Sequence, residues 1–237
     1  MCKAKHQQSD LDNAPKQNDY PQIMQYFIII SIALSVSFCQ NPQSHKTVLS
    51  NKNTITKNDT VIKEIPAYKN GQYSAFYTKA KRLSDILSLG NIDSGFDSLQ
   101  IRIWYPQMST SKMILISRLP EKWEAYLYTF DEEHDVLKGI DRIVNIKSKK
   151  LKPETGWQKF THELFGLGIT TLPNSDNLPE YNGGGMDGES YSVEIAQIDK
   201  YRFYTYNEPI DHQNIEQAKQ MIKIIMLINK EFNIEVY

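Results

Sequence analysis

One uncharged segment near the start of the chain limits what the rest can fold into. Residues 26–38 contain no charged side chain, and the chain becomes strongly polar at Gln40. At about 1.5 Å per helical residue this segment covers roughly 20 Å, less than the hydrocarbon core of about 30 Å. That length is typical of the hydrophobic region of a secretory signal peptide, although a buried helix or strand is the alternative. We therefore expect the folded domain to begin after this segment.

The residues that follow the apolar segment carry a recognisable pattern. Val36-Ser37-Phe38-Cys39 resembles the lipobox of bacterial lipoproteins, with Phe38 at a position where that motif prefers a small residue. The resemblance implies cleavage before Cys39, lipidation of its sulfur and anchoring to a membrane. In lipoproteins, a glutamine such as Gln40 after the cysteine is associated with transit to the outer membrane. The resemblance therefore predicts an exported protein of the cell envelope.

The sequence divides into three parts. Residues 1–39 are predicted to be a leader and signal peptide, for which Met24 is an alternative start. Residues 40–66 are rich in Asn, Lys, Thr and Ser, which indicates a flexible polar tether. Residues 67–237 have the length of a single globular domain.

Composition excludes several classes of function. Lys and Arg total 27 against 28 Asp and Glu, so a net charge of -1 gives no field that would attract nucleic acid. The only cysteines, Cys2 and Cys39, precede the predicted domain, so it has no thiol for a disulfide, a thiolate zinc site or a nucleophile. Nucleotide-binding loops and zinc-protease motifs are also missing, so we predict no cofactor and no metal.

Periodicity predicts an α+β fold. Residues alternate apolar and polar at 99–105, and further strands are expected at 113–119, 123–130, 140–146, 189–196 and 201–206. Helical spacing predicts helices at 73–89, 155–165 and 211–232, the last with Asp211 as its N-cap. We expect an antiparallel sheet of about five to seven strands with two or three helices packed mainly on one face.

Two candidate sites have simple structural explanations. His162 lies off the apolar stripe of its predicted helix, so a solvated histidine is favoured over a catalytic one. The acidic residues 131–135 offer carboxylates to a hard cation but lack the spacing of an EF-hand loop. We interpret them as a charged hairpin turn.

The predicted hairpin of residues 189–206 is the best candidate for a binding surface. It follows the glycine-rich residues 183–185 and combines carboxylates, tyrosines and an arginine: Asp187, Glu189, Tyr191, Glu194, Arg202, Tyr204 and Tyr206. Alternation places Arg202, Tyr204 and Tyr206 on one face, and such side chains suit the binding of a protein, peptide or glycan. Cross-strand packing with an Arg–Glu pair is the competing interpretation.

A wider pattern carries a second resemblance. It comprises Leu172-Pro173-Asn174, Asp187-Gly188, Tyr191, Glu194, Tyr201-Arg202-Phe203-Tyr204, Tyr206 and Pro209. Over about residues 99–232 it resembles a module of small uncharacterised bacterial lipoproteins, which implies export but no mechanism. We expect a non-catalytic envelope lipoprotein that binds a protein, peptide or glycan. The alternatives are an envelope hydrolase using Asp187, Glu189 or Glu194, and an immunity or inhibitor protein.

Overall fold

The order of helices and strands confirms an α+β fold. A computed structural model of the chain describes residues 61–67, 70–105, 110–135, 140–181 and 189–234. Its elements are β1 Ile62–Glu64, α1 Ala75–Ile86, β2 Leu99–Trp104, β3 Ser111–Arg118, β4 Trp123–Asp135, β5 Ile140–Leu151, α2 Trp157–Gly166, β6 Ser190–Gln197, β7 Lys200–Asn207 and α3 Glu216–Phe232. A short 3₁₀ turn, Ser175–Asn177, lies between α2 and β6.

The strands form one seven-stranded sheet with the order β1-β7-β6-β2-β3-β4-β5. All neighbours from β7 to β5 pair antiparallel, as expected for a chain built from hairpins. β1 is the exception, because it pairs parallel to β7. It lies within the segment predicted to be tether, so the sheet begins before the predicted boundary at residue 67.

The larger core lies on the face of the sheet covered by α2 and α3, here called the α2–α3 face. Leu99, Ile101 and Ile103 project there from β2 because alternate strand residues share a face. Phe160 and Phe232, from the two helices, meet edge to face with ring centroids 4.9 Å apart. Packing of these two helices on one face is confirmed.

The opposite face, the α1 face, is covered by α1 and was not expected to be covered. Tyr77, Ala80 and Leu83 of α1 are buried there. Ser74 caps the helix by accepting a hydrogen bond from the backbone N–H of Tyr77 at 3.3 Å. Because α1 shields this face, polar residues of the strands beneath it are buried rather than exposed to solvent.

Two further boundaries differ from prediction. α3 begins at Glu216 and not at Asp211, because residues 209–214 form turns and the N-cap is Ile215. β5 extends beyond the predicted residue 146 to Leu151, through a bulge where Asn145 has φ 52°. The Asn145 amide donates to Asp131 Oδ2 at 2.8 Å, which holds this bulge against β4.

Candidate functional site

The predicted hairpin exists and pairs β6 with β7. Tyr191 lies opposite Tyr206, and Glu194 lies opposite Phe203. The two strands therefore send Tyr191, Tyr204 and Tyr206 toward the α2–α3 face, as alternation predicts. The same alternation sends Glu194 to the other face, so the structure does not bring it together with these tyrosines.

The hairpin tyrosines lie in the interior. Tyr206 is fully buried and Tyr204 is 1% exposed, and the Tyr204 hydroxyl donates to the Ile169 carbonyl at 2.7 Å. Burial raises the pKa of Tyr204 and of Tyr206 well above the ordinary value. Tyr191 is also buried. A partner docked on the surface does not reach these rings in this conformation.

Arg202 fastens neighbouring segments to the edge of β7. Its guanidinium donates to the carbonyls of Thr170 and Leu172, the latter at 2.9 Å. Its Nε donates to Glu64 of β1, and Lys200 pairs with the same carboxylate at 2.6 Å. The hydrogen bond from Lys200 and the charge of Arg202 lower the pKa of Glu64. Arg202 therefore holds β1 and the segment after α2 in place.

Glu194 belongs to a buried polar network on the α1 face. Its carboxylate is 1% exposed and accepts a hydrogen bond from Trp104 Nε1 at 2.8 Å and from the Tyr201 hydroxyl at 2.9 Å. Burial and the adjacent carboxylate raise the pKa of Tyr201 far above its ordinary value. Both oxygens of Glu194 are thus occupied by protein donors.

Arg102 is the cationic member of this network, and it lies directly opposite Glu194 on β2. Its Nε donates to Gln100 at 3.0 Å, and its two terminal nitrogens donate to Ser84 Oγ and to the carbonyls of Leu89 and Gly90, each at 2.9 Å. Burial lowers the pKa of Arg102, and the Glu194 carboxylate opposes that effect. The network ties α1 and the segment after it to the centre of the sheet.

The two described carboxylates of the hairpin, Glu189 and Glu194, do not form a catalytic pair. Asp187 and the predicted glycine-rich residues 183–185 lie outside the described residues. Glu189 accepts a hydrogen bond from the Tyr191 hydroxyl at 3.2 Å, which places it toward the α2–α3 face. Glu194 lies on the opposite face, so Glu189 and Glu194 cannot flank one glycosidic bond.

The other two candidate sites are built as ordinary surface features. His162 is exposed on α2. In the acidic segment, Asp131 accepts from Thr110 and Asn145, each at 2.8 Å, while Glu132 pairs with Lys79 and Arg82 of α1. The described residues contain no group of three or more His, Cys, Asp or Glu side chains placed to hold a metal ion.

The outer edge of β5 is a candidate binding element of the described fold. β5 is 12 residues long and ends the sheet opposite β1. Among the described strands, β5 pairs with β4 alone. Every residue from Asn145 to Lys150 is exposed. Such an edge presents a row of free N–H and C=O groups to another chain.

The side chains of β5 give this edge a positive charge. Lys147, Lys149 and Lys150 of β5 are exposed, as is Lys152 directly after the strand. Lys150 pairs with Glu124 at 3.0 Å. Hydrogen bonds from Asn145 and Thr110 and the nearby charge of Lys147 lower the pKa of Asp131. Lys149 and Lys152 form no ion pair within the described residues. The sequence prediction ended this strand at residue 146, so it did not recognise the lysine-rich half as part of a strand.

Comparison with known proteins adds no relative: neither a protein-family model nor a curated protein matches this chain. Across the described ranges, no helix has both the length and the apolar character required to cross a bilayer.

Proposed function

We propose that this chain is an exported, lipid-anchored protein of the bacterial cell envelope that acts by binding a partner protein or peptide and not by catalysis. The anchor is Cys39, and the outer membrane is the expected address. The predicted tether, which follows Cys39, connects this anchor to the sheet at β1. These assignments rest on the sequence patterns at residues 26–40.

The observation that carries the binding role is the free edge of β5. The regularly paired stretch from Lys147 to Leu151 presents backbone donors and acceptors at this edge, and extended peptides bind proteins by adding a strand to such an edge. A strand edge favours a protein or peptide over a glycan, because strand addition requires a polypeptide backbone in the partner. An immunity or inhibitor protein is one form of this role.

The hydrolase alternative has less support. Its candidate carboxylates include Glu194, whose two oxygens already accept hydrogen bonds from Trp104 and Tyr201 in the interior. Glu189 projects toward the other face of the sheet. A general acid or nucleophile must be within reach of the bond that it cleaves, and a carboxylate that is 1% exposed and held by two protein donors is not.

Site-specific photo-crosslinking in cells tests the binding role. A photoreactive phenylalanine analogue is placed at Ser148 on β5 or, as a matched control, at Met226, which is 65% exposed on α3. The full chain, with Cys39 intact, is expressed at native level and irradiated. We expect Ser148 to give a discrete adduct with one envelope protein and Met226 to give none.

Identical adducts from both positions would indicate collisional labelling and contradict a binding role for β5. The absence of any adduct at native expression would contradict it as well. Mass spectrometry of the Ser148 adduct identifies the partner and the partner segment that lies against the strand.

A further inference from the structure

We propose that the outer edge of β5 accepts an acidic, extended segment of the partner protein as an eighth strand of the sheet. This inference rests on the proposed binding role and specifies the chemistry of the partner. Its elements are the outer backbone edge of β5 from Asn145 to Leu151 and the exposed lysines Lys147, Lys149 and, directly after the strand, Lys152.

The backbone of β5 is already in the conformation that strand addition requires. Pairing with β4 fixes residues 140–151 as a strand, interrupted only at the bulge around Asn145. An incoming chain therefore meets an ordered template and loses only its own conformational freedom on binding. The stretch from Lys147 to Leu151 is regularly paired and provides the longest uninterrupted template next to the lysines.

The register of β5 sets the positions of the positive charges. Leu151 pairs with Ala125 and both contribute to the core of the α2–α3 face, so Lys149 and Lys147 project to that same face. Alternate residues of a strand are about 6.6–6.8 Å apart. An extended partner with Asp or Glu at every second position places one carboxylate beside each lysine, in the cross-strand arrangement that favours opposite charges.

A second copy of the chain fits this edge poorly. An antiparallel self-pairing centred on the regular part of β5 sets Lys149 of each copy opposite the other, and like charges directly opposite one another are unfavourable. Residues 40–60 of the same chain are also unsuitable, because they contain Lys46, Lys52 and Lys57 but only one acidic residue, Asp59. An acidic segment of another protein is the occupant that matches.

The lysines also explain how such an edge avoids other strands. Lysine on an edge strand discourages pairing with neutral or basic chains. A neutral chain would bury the lysine charge without a partner, and a basic chain would place a like charge beside it. An acidic strand is the one class for which the same residues contribute attraction. The charges thus confer selectivity on an edge that would otherwise pair indiscriminately.

β5 lies at the edge of the sheet opposite the strand where the described chain begins. The chain enters the sheet at β1, and β1 and β5 lie at opposite ends of the strand order. Six inter-strand spacings of about 4.8 Å separate the two edges by roughly 29 Å. The segment that leads to Cys39 therefore joins the domain at the edge remote from the acceptor strand.

Fluorescence anisotropy with the purified full chain and a labelled ten-residue peptide tests the proposal. The probe alternates Glu with Thr or Val, and the control peptide carries Lys at each Glu position. We expect the acidic peptide to bind. Its affinity is expected to fall at least several-fold when the salt concentration of the assay is raised from about 50 to about 500 mM, because salt shortens the Debye length. Equal binding of the two peptides, or binding of neither, would overturn the proposal.

Charge reversal locates the site. The double variant Lys147→Glu/Lys149→Glu is expected to weaken binding of the acidic peptide about tenfold or more. The matched control Lys223→Glu/Lys230→Glu makes the same change of net charge on exposed residues of α3 and is expected to bind within about twofold of wild type. Circular dichroism tests whether both variants are folded. Equal loss in the two variants would show non-specific attraction and contradict the proposal.

Backbone methylation separates strand addition from simple charge attraction. Two versions of the acidic peptide carry N-methyl groups on alternate residues, one on the odd positions and one on the even. Strand addition uses the N–H groups of one peptide edge only, so we expect one version to lose binding and the other to keep it. Retention or loss by both versions would refute the strand geometry. If Ser148 crosslinks a partner in cells and no acidic peptide binds, the partner chemistry is wrong while the binding role stands.

Discussion

Substitution of Glu194 gives the sharpest test of the buried network. Glu194→Ala removes the acceptor of the Trp104 indole and of the Tyr201 hydroxyl, both in the interior. An unsatisfied buried donor costs about 1–3 kcal/mol, so the two donors together account for roughly 4 kcal/mol. Arg102 also loses the opposing charge that acts on it from the facing strand, which adds to this cost. We expect the free energy of unfolding to fall by at least about 4 kcal/mol.

A double-mutant cycle isolates the contact between Glu194 and Tyr201. Tyr201→Phe alone removes one hydrogen bond to a charged group, which costs about 1.5–3 kcal/mol. In the Tyr201→Phe background the hydroxyl is already absent, so Glu194→Ala leaves only the Trp104 indole without an acceptor. The cost of Glu194→Ala is therefore expected to drop by about 1.5–2 kcal/mol. Urea unfolding of the full chain, followed by far-ultraviolet circular dichroism, measures each corner of the cycle. Glu189→Ala, which loses only a 3.2 Å bond from Tyr191, is the control and is expected to cost less than about 1.5 kcal/mol. A cost for Glu194→Ala below about 1 kcal/mol, or strict additivity of the two changes, would refute this reasoning.

Three further substitutions test the local geometry and the electrostatics. Gly95 has φ 93°, and an added Cβ would lie 2.7 Å from the Ile198 carbonyl oxygen, so Gly95→Ala is expected to lower stability by more than about 1 kcal/mol. Gly166 ends α2 with open space around it, and Gly166→Ala is expected to leave the melting temperature unchanged or raise it. For Asp93, burial opposes ionisation, but the hydrogen bond and charge of Lys81 prevail and lower its pKa below 3.8. Because the folded-state pKa is the lower one, this stabilisation is present above pH 3.8 and is lost as pH falls through the folded value. We therefore expect Asp93→Asn to cost stability near neutral pH and progressively less under acid, measured by urea unfolding at several pH values.

Controls decide these tests. Asp97→Asn changes a nearby exposed carboxylate and is expected to show a much smaller pH-dependent difference from wild type. A difference between wild type and Asp93→Asn that does not change with pH would contradict the role of its ionised carboxylate. Loss of stability in Gly166→Ala equal to that in Gly95→Ala would contradict the steric account of Gly95.

Local sequence patterns predicted most of the strands because side-chain alternation is a short-range property. The hairpin of residues 113–130 and the strand at 99–105 are confirmed, and so is the common face of Arg202, Tyr204 and Tyr206. Short polar segments set these turns, and a one-residue shift of register would turn the apolar residues to the wrong face.

Exposure could not be predicted in the same way, because it depends on segments distant in sequence. Gln100 and Arg102 alternate with apolar residues and therefore resemble solvent-facing positions, yet α1 covers them. The hairpin tyrosines are similarly covered by the segment after α2, through bonds such as that from Tyr204 to Ile169. A polar face of a strand indicates which residues share a side, but not whether a helix lies on that side.

The lipid anchor at Cys39 is central to the proposed function, and intact mass measurement tests it most directly. The full chain is expressed in a bacterial host that processes lipoproteins, beside Cys39→Ala, and both are analysed by mass spectrometry and detergent partitioning. We predict that the wild-type protein lacks the residues before Cys39, carries the mass of its acyl chains and enters the detergent phase. The Cys39→Ala variant is expected to carry no acyl chains and to stay in the aqueous phase. A wild-type protein that retains Met1, carries no lipid and stays with the variant in the aqueous phase would contradict the envelope address.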